Sequence, residues 1–128
     1  ANKFADVCKY LITKEIIPVI IGTNEDLDTI NIIEKQEKNI LNLCNKSPLN
    51  VIYNLSTKAE GALSNDTGPA HLIAATNCKI HLILSSFSNT KTVIPQSKNV
   101  TYTQSNSIED IPANKIIDGI DLLLQNEN

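Results

Sequence analysis

The sequence contains no methionine. A native chain normally opens on one, and this chain starts at Ala1 inside a helical pattern, so it reads as a piece of a longer protein. Its three cysteines, Cys8, Cys44 and Cys78, lie far apart without C-x-x-C spacing, which argues against a disulfide framework or a zinc site. Cys44 and Cys78 end apolar runs and are expected to be buried small hydrophobes, in keeping with a reducing cytoplasm. With two histidines and scattered cysteines no metal set assembles. No apolar run approaches the roughly 20 residues that span a bilayer. The first residues, Ala1 to Asp6, lack the basic and apolar regions of a signal peptide. A net charge of −3 gives no support for nucleic-acid binding. Neither G-x-G-x-x-G after a strand nor G-x-x-x-x-G-K-S/T occurs, and Ser86 and Ser88 lack a G-x-S-x-G setting. No cofactor is therefore expected. Sequons at Asn54, Asn65 and Asn99 read as chance in a chain rich in Asn and Ser.

What is present is ordinary for a globular domain: 41% hydrophobic and 20% charged residues over 128 positions, enough for one core. Phe4, Val7, Cys8, Leu11 and Ile12 recur at helical steps and predict an amphipathic helix from about Asn2 to Lys14. Ile16 to Ile21 reads as a buried strand with Pro18 near its start, followed by a turn at Gly22-Thr23-Asn24. Asp26 or Asp28 starts a helix through Ile30 and Ile33, and Asn39 to Cys44 is the next strand. Ser47-Pro48 opens a helix carrying Leu49, Ile52, Tyr53 and Leu55. Gly61 to Ser64 and Lys79 to Leu84 are strands, Ser85 to Gln96 is polar and irregular, and Val100 to Tyr102 is a last strand. Ile111-Pro112 opens a final helix with Ile116, Ile117, Ile120, Leu123 and Leu124 on one face. Strands of four to six residues alternating with helices predict an α/β fold, a Rossmann-like doubly wound parallel sheet in a single domain over residues 1–128. Ligands bind at the carboxyl ends of such strands. The loops Gly22 to Glu25, Asn45 to Ser47 and the turn after Ser64 are expected to face one crevice.

The chain is organised around Ser64-Asn65-Asp66-Thr67-Gly68-Pro69-Ala70-His71. An apolar stretch stops in small polar residues, and a helix from Ala70 to Thr76 follows. Asp66 or Thr67 can cap it, and Pro69 suits a first-turn position that needs no N–H. A helix N-terminus aimed at solvent attracts anions, because free N–H groups and the macrodipole both favour negative charge. Gly68 lets a phosphate approach the backbone, and His71 can reach the same anion. Read alone, D-T-G-P is an ordinary capped turn.

The octet closely resembles the donor-site motif of family 9 glycosyltransferases, the bacterial heptosyltransferases, which reads S-x-D-T/S-G-x-x-H-L-x-A-A. Ser64, Asp66, Thr67, Gly68, His71, Leu72, Ala74 and Ala75 match it. The resemblance implies half of a GT-B glycosyltransferase, the carboxyl-terminal half that binds the nucleotide sugar. It implies a nucleotide-sugar donor such as ADP-heptose, a lipopolysaccharide acceptor, and a bacterial cytoplasmic enzyme peripheral to the inner membrane. Asp66, Thr67, Gly68 and His71 would be donor-site residues. Loop geometry adds Glu25, able to accept ribose hydroxyls, and Lys46, able to contact base or phosphate; each is equally at home as a solvated surface charge. No residue of this chain is assigned a catalytic role. The amino-terminal half, with the acceptor site and a catalytic acidic residue, is absent, as is the first strand of the donor half. Where family members carry Phe-Gly-Pro-Thr, this chain reads Ser85-Ser86-Phe87-Ser88. The expectation is a donor-binding fragment that is inactive alone and pairs with a separate amino-terminal half or with itself. Two rivals are a non-enzymatic α/β interaction module, to which an uncovered sheet edge would invite a partner chain, and a small phosphometabolite-binding protein.

Overall fold

The computed structural model describes residues 2–65, 68–85 and 99–125. The chain divides into two compact units, one up to Pro48 and one from Leu49 onward.

The first unit opens with α1 (Asn2–Thr13), whose apolar stripe turns Ala5, Val7 and Cys8 inward. The helix stops in a left-handed turn. Glu15 has φ 61°, its N–H donates to Ile12 O, and the Ile16 N–H reaches back to Leu11 O, each at 3.0 Å. That is the Schellman arrangement, which satisfies the helix's last carbonyls. Strand β1 (Val19–Gly22) follows, then a 3-10 turn at Asn24–Asp26, α2 (Leu27–Gln36) and β2 (Leu41–Cys44). The two strands run parallel, with Val19 opposite Leu41 and Gly22 opposite Cys44. Ala5, Cys8 and Ile33 form the core of this unit, with Phe4, Ile20 and Ile40 packed around them.

The second unit runs α3 (Leu49–Lys58), β3 (Ala62–Asn65), α4 (Gly68–Ala75), β4 (Ile80–Ser85), β5 (Val100–Ser105), a 3-10 turn at Ile108–Asp110 and α5 (Ala113–Gln125). Its three strands pair in the order β3-β4-β5, all parallel. Parallel strands need crossovers of a dozen or more residues, and α4 supplies the one between β3 and β4. The middle strand β4 is the core: Ile80, Leu82, Ile83 and Leu84 are all buried. A strand covered on both faces reads as a continuous apolar run, which is why Ile80 to Leu84 lacks alternation. Ile116, Ile120 and Leu123 of α5 are buried as well.

Three elements differ from the sequence reading. The strand expected to be buried from Ile16 to Ile21 runs instead from Val19 to Gly22, and its side chains are exposed or half-buried. Helix α3 buries Ile52 and Ser56, while Leu49 and Tyr53 face solvent. The Ser56 hydroxyl donates to Ile52 O at 2.7 Å, so a polar residue occupies an inner position without an orphan group. Strand β5 continues three residues past Tyr102, to Ser105, because each of its residues finds a partner on β4.

Candidate functional site at the start of α4

The site grows from a strand that ends and a helix that begins. Asn65 closes β3 opposite Ile83 and is exposed. The Ser64 hydroxyl donates to Asn65 O at 2.8 Å. Helix α4 then begins at Gly68, two residues earlier than the sequence pattern suggested, with Pro69 in its first turn. Pro69 has no N–H, so the first-turn N–H groups, which find no carbonyl within the helix, belong to Gly68, Ala70 and His71. No acidic residue lies within that first turn itself. Ala70, Ile73 and Ala74 are buried, which rotates His71 onto the exposed side of the same turn. Asp66 and Thr67 lie outside the described residues, as do Ser86, Phe87 and Ser88.

The other two candidates belong to the first unit. Glu25 is exposed at the middle of the 3-10 turn after β1. Lys46 is exposed just after β2, its backbone N–H donating to Leu43 O at 2.9 Å. Their two loops meet: the Asn45 N–H donates to Gly22 O at 2.8 Å. Sequence reading placed Asn24 in a turn, Asp26 at a helix start and Asn45 in a loop, but did not see the hydrogen bonds by which they hold the two loops together. A local signal existed for one of them, since an Asn just after a strand is a common left-handed turn residue.

The buried histidine and the cysteines among the described residues are committed elsewhere or silenced by burial. His81, in β4, is 2% exposed, and burial lowers its pKa. Its Nδ1 lies 2.7 Å from Thr101 Oγ1 and its Nε2 2.7 Å from Thr103 Oγ1. A groove of about 320 Å³ runs past His81, Tyr102, Lys115 and Asp118, but the imidazole offers it no free nitrogen. Burial pushes the Cys8 thiol up to about 11, with the Glu37 charge adding to the effect, and burial also raises Cys78. Neither is a thiolate at neutral pH, so neither is a ready nucleophile. Cys44 is only half-buried, contrary to the expectation of a core residue, because its thiol turns to Thr23 O at 3.4 Å. No helix among the described residues is long and apolar enough to cross a membrane.

Comparison with known proteins now places this geometry. The family model for glycosyltransferase family 9 (heptosyltransferase) matches residues 1–116. No curated protein matches the chain. Among solved structures it is similar to a family 9 glycosyl transferase from Veillonella parvula, with a TM-score of 0.87 and 18% identity over 96% of this chain and 40% of that one. It is also similar to the ADP-heptose lps heptosyltransferase II of E. coli, with a TM-score of 0.82 and 22% identity over 95% of this chain and 40% of that one. The chain thus spans 40% of the length of each structure it matches. The fold is the α/β, parallel-sheet, Rossmann-like architecture of GT-B heptosyltransferases. With β3 ending at Asn65, α4 beginning at Gly68 and a family match over nearly its whole length, the chain belongs to glycosyltransferase family 9, the heptosyltransferases.

Proposed function

We propose that this chain is a single nucleotide-sugar-binding domain, the donor half of a bacterial lipopolysaccharide heptosyltransferase, with ADP-heptose as its donor. One observation carries the reading: in a family 9 chain, α4 opens at Gly68-Pro69 with exposed His71 and no acidic side chain in its first turn. The diphosphate lies over that N-terminus. The N–H groups of Gly68 and Ala70 and the Thr67 hydroxyl hold its oxygens, and His71 adds a further donor. Asp66, an anion itself, orients the turn or accepts hydroxyl hydrogen bonds from the sugar. Within the first unit, Glu25 is able to accept ribose hydroxyls and Lys46 to contact a base or a phosphate. The group that leaves in the transfer is a nucleoside diphosphate, and fixed donors aimed at its growing charge lower the barrier. The acceptor site belongs to the other half of such an enzyme, so this chain alone binds nucleotide and turns nothing over. Its setting is the bacterial cytoplasm, beside the inner membrane.

The test is a ¹⁵N amide titration of the chain with ADP, GDP and UDP in parallel. The expected result is that ADP selectively shifts the amides of Asn65 to His71. A dispersed spectrum in which none of the three moves those amides overturns the reading. The rival reading, a non-enzymatic interaction module, draws on the exposed apolar side chains Ile17, Val19 and Leu41 of the first unit. It predicts that second outcome, together with self-association in light scattering.

A further inference from the structure

We propose that Asn45 is a positioning residue. Its side chain ties the turn after β1 to the loop after β2, forming one preorganised rim that sets Glu25 and Lys46 in a fixed relation for a nucleotide. The nucleotide-binding half of this proposal rests on the function proposed above; the bridge itself does not.

Asn45 has φ 60°, in the left-handed region that most L-residues avoid and Asn tolerates. The N–H of Asn45 donates to Gly22 O, 2.8 Å away, extending the parallel pairing of Gly22 with Cys44. The left-handed turn at Asn45 comes just after that bond, and there the side-chain Nδ2 donates to Asn24 Oδ1 at 2.6 Å. One residue earlier, the Cys44 thiol reaches Thr23 O. Three successive residues of one loop, 22–24, are thus held by two of the other, 44 and 45.

Glu25 sits inside this bracing. Asn24 on one side is held by Asn45. Asp26 on the other closes the 3-10 turn on itself: its carboxylate accepts from the Thr23 N–H at 3.0 Å and its N–H donates to Thr23 O at 2.9 Å. The Asp26 side chain lies over Gly22, where a Cβ would come within 2.9 Å of Oδ2 and 3.1 Å of Ile30 Cδ1. Gly22 is therefore the residue that lets the turn fold down onto the strand end. Lys46 follows Asn45 directly, so the residue that grips Asn24 also fixes where Lys46 leaves the sheet.

Asn24 and Asn45 are both exposed, so their bond covers no core. An exposed amide pair adds little to stability, because water competes for both partners. What it does add is order in two loops that would otherwise sample many arrangements. Order in place before the ligand arrives lowers the entropy lost on binding.

The test compares the chain with Asn45→Gly, Asn24→Ala and the double variant. Glycine keeps the left-handed backbone and its N–H, and removes only the amide side chain. The ligand-free readout is the ¹⁵N order parameters of Asn24 to Asp26, which fall in Asn45→Gly if the bridge orders the turn. The ligand readout is affinity for ADP, GDP and UDP. Each single variant weakens the nucleotide that binds by about three- to tenfold, the range one hydrogen bond supplies. The double variant is no weaker than either single, since both remove the same bond. The urea midpoint stays close to that of the unaltered chain. Unchanged order parameters, or losses that multiply in the double variant, overturn the proposal. If the unaltered chain binds none of the three nucleotides, the proposed function and the rim's role in it fall together, while the order parameters still decide whether the bridge exists.

Discussion

The two parallel sheets are held by different means. In the second unit, β4 is buried from Ile80 to Leu84, and four of its six residues are Ile or Leu. In the first unit both strands are half-exposed, with Val19 at 41% and Leu41 at 48%. There the specific geometry comes from polar groups at the strand ends, from Asn42 Nδ2 on Glu34 Oε1 to the Asn24–Asn45 bridge. A core strand gains stability in proportion to apolar area removed from water, without regard to direction. Loop hydrogen bonds contribute less free energy but fix direction. One sheet is specified by burial and the other by turns, and candidate site residues are found in both units.

The contrast breaks first at Leu82 and Ile20. Leu82→Ala opens a cavity in β4 and is expected to cost about 2–5 kcal/mol in urea unfolding. Ile20→Ala, at a half-buried position, is expected to cost about 1 kcal/mol, since less apolar area is lost. Equal costs would remove the distinction between the sheets.

Gly119→Ala sharpens the same point. A Cβ on Gly119 would lie 2.5 Å from His81 Cε1 and Nε2. The ring is held by Thr101 and Thr103, so moving it aside breaks those hydrogen bonds. A loss of about 1–3 kcal/mol is expected from this overpacking, read as a lower urea midpoint. The double variant with His81→Ala should recover part of it, because the clash partner is gone.

His81 also gives the second unit a pH dependence. Burial disfavours the charged imidazolium, so its pKa in the folded chain lies below the ordinary value of 6.5. The unfolded chain then binds more protons than the folded one. Stability from the neutral ring is full above about pH 6.5 and is lost as pH falls from there through the lowered folded value. Urea midpoints measured between pH 7.5 and 5 should fall, and His81→Gln should flatten the part of the slope that His81 causes. A slope unchanged by that substitution would show that other groups carry it.

The smallest effect belongs to the turn that ends α1. Glu15 occupies a left-handed position without being glycine. Glu15→Gly relieves that strain and is expected to stabilise by up to about 1 kcal/mol, partly offset by the added freedom of the unfolded chain. A higher thermal midpoint for this variant is the check.

These elements also show what the sequence could disclose. The alternation of strands and helices, the apolar run Ile80 to Leu84 and the spacing of Ile116, Ile120 and Leu123 are local patterns, and each marks a real element. The end of β3 at Asn65 and the start of α4 at Gly68 were legible for the same reason, since both fall in one continuous stretch that Gly68 and Pro69 punctuate. What stayed hidden depends on residues distant in sequence. Thr101 and Thr103 show no sign of a partner until His81, twenty and twenty-two positions away, is known to lie beside them. Asn24 and Asn45 are unremarkable singly, and their bridge exists only because parallel pairing brings two loops to one end of a sheet. Ser56 replaces an apolar residue on the inner face of α3 by bonding back to its own helix, which no periodicity can anticipate.

Every strand pairing among the described residues is parallel, and that bears on how the chain is made. Ala62 pairs with Ile80, Val19 with Leu41, and Ile80 with Val100. Each of these partners lies about twenty residues downstream, and among the described residues no hairpin nucleates either sheet. On a ribosome adding about 5–20 residues per second, a finished strand waits on the order of one to four seconds for its neighbour to emerge. During that interval the apolar run of β4 has one edge still open. Folding then proceeds in the order of synthesis, and the speed of translation through residues 86–99 sets how long the stickiest segment of the nascent chain stays unpaired.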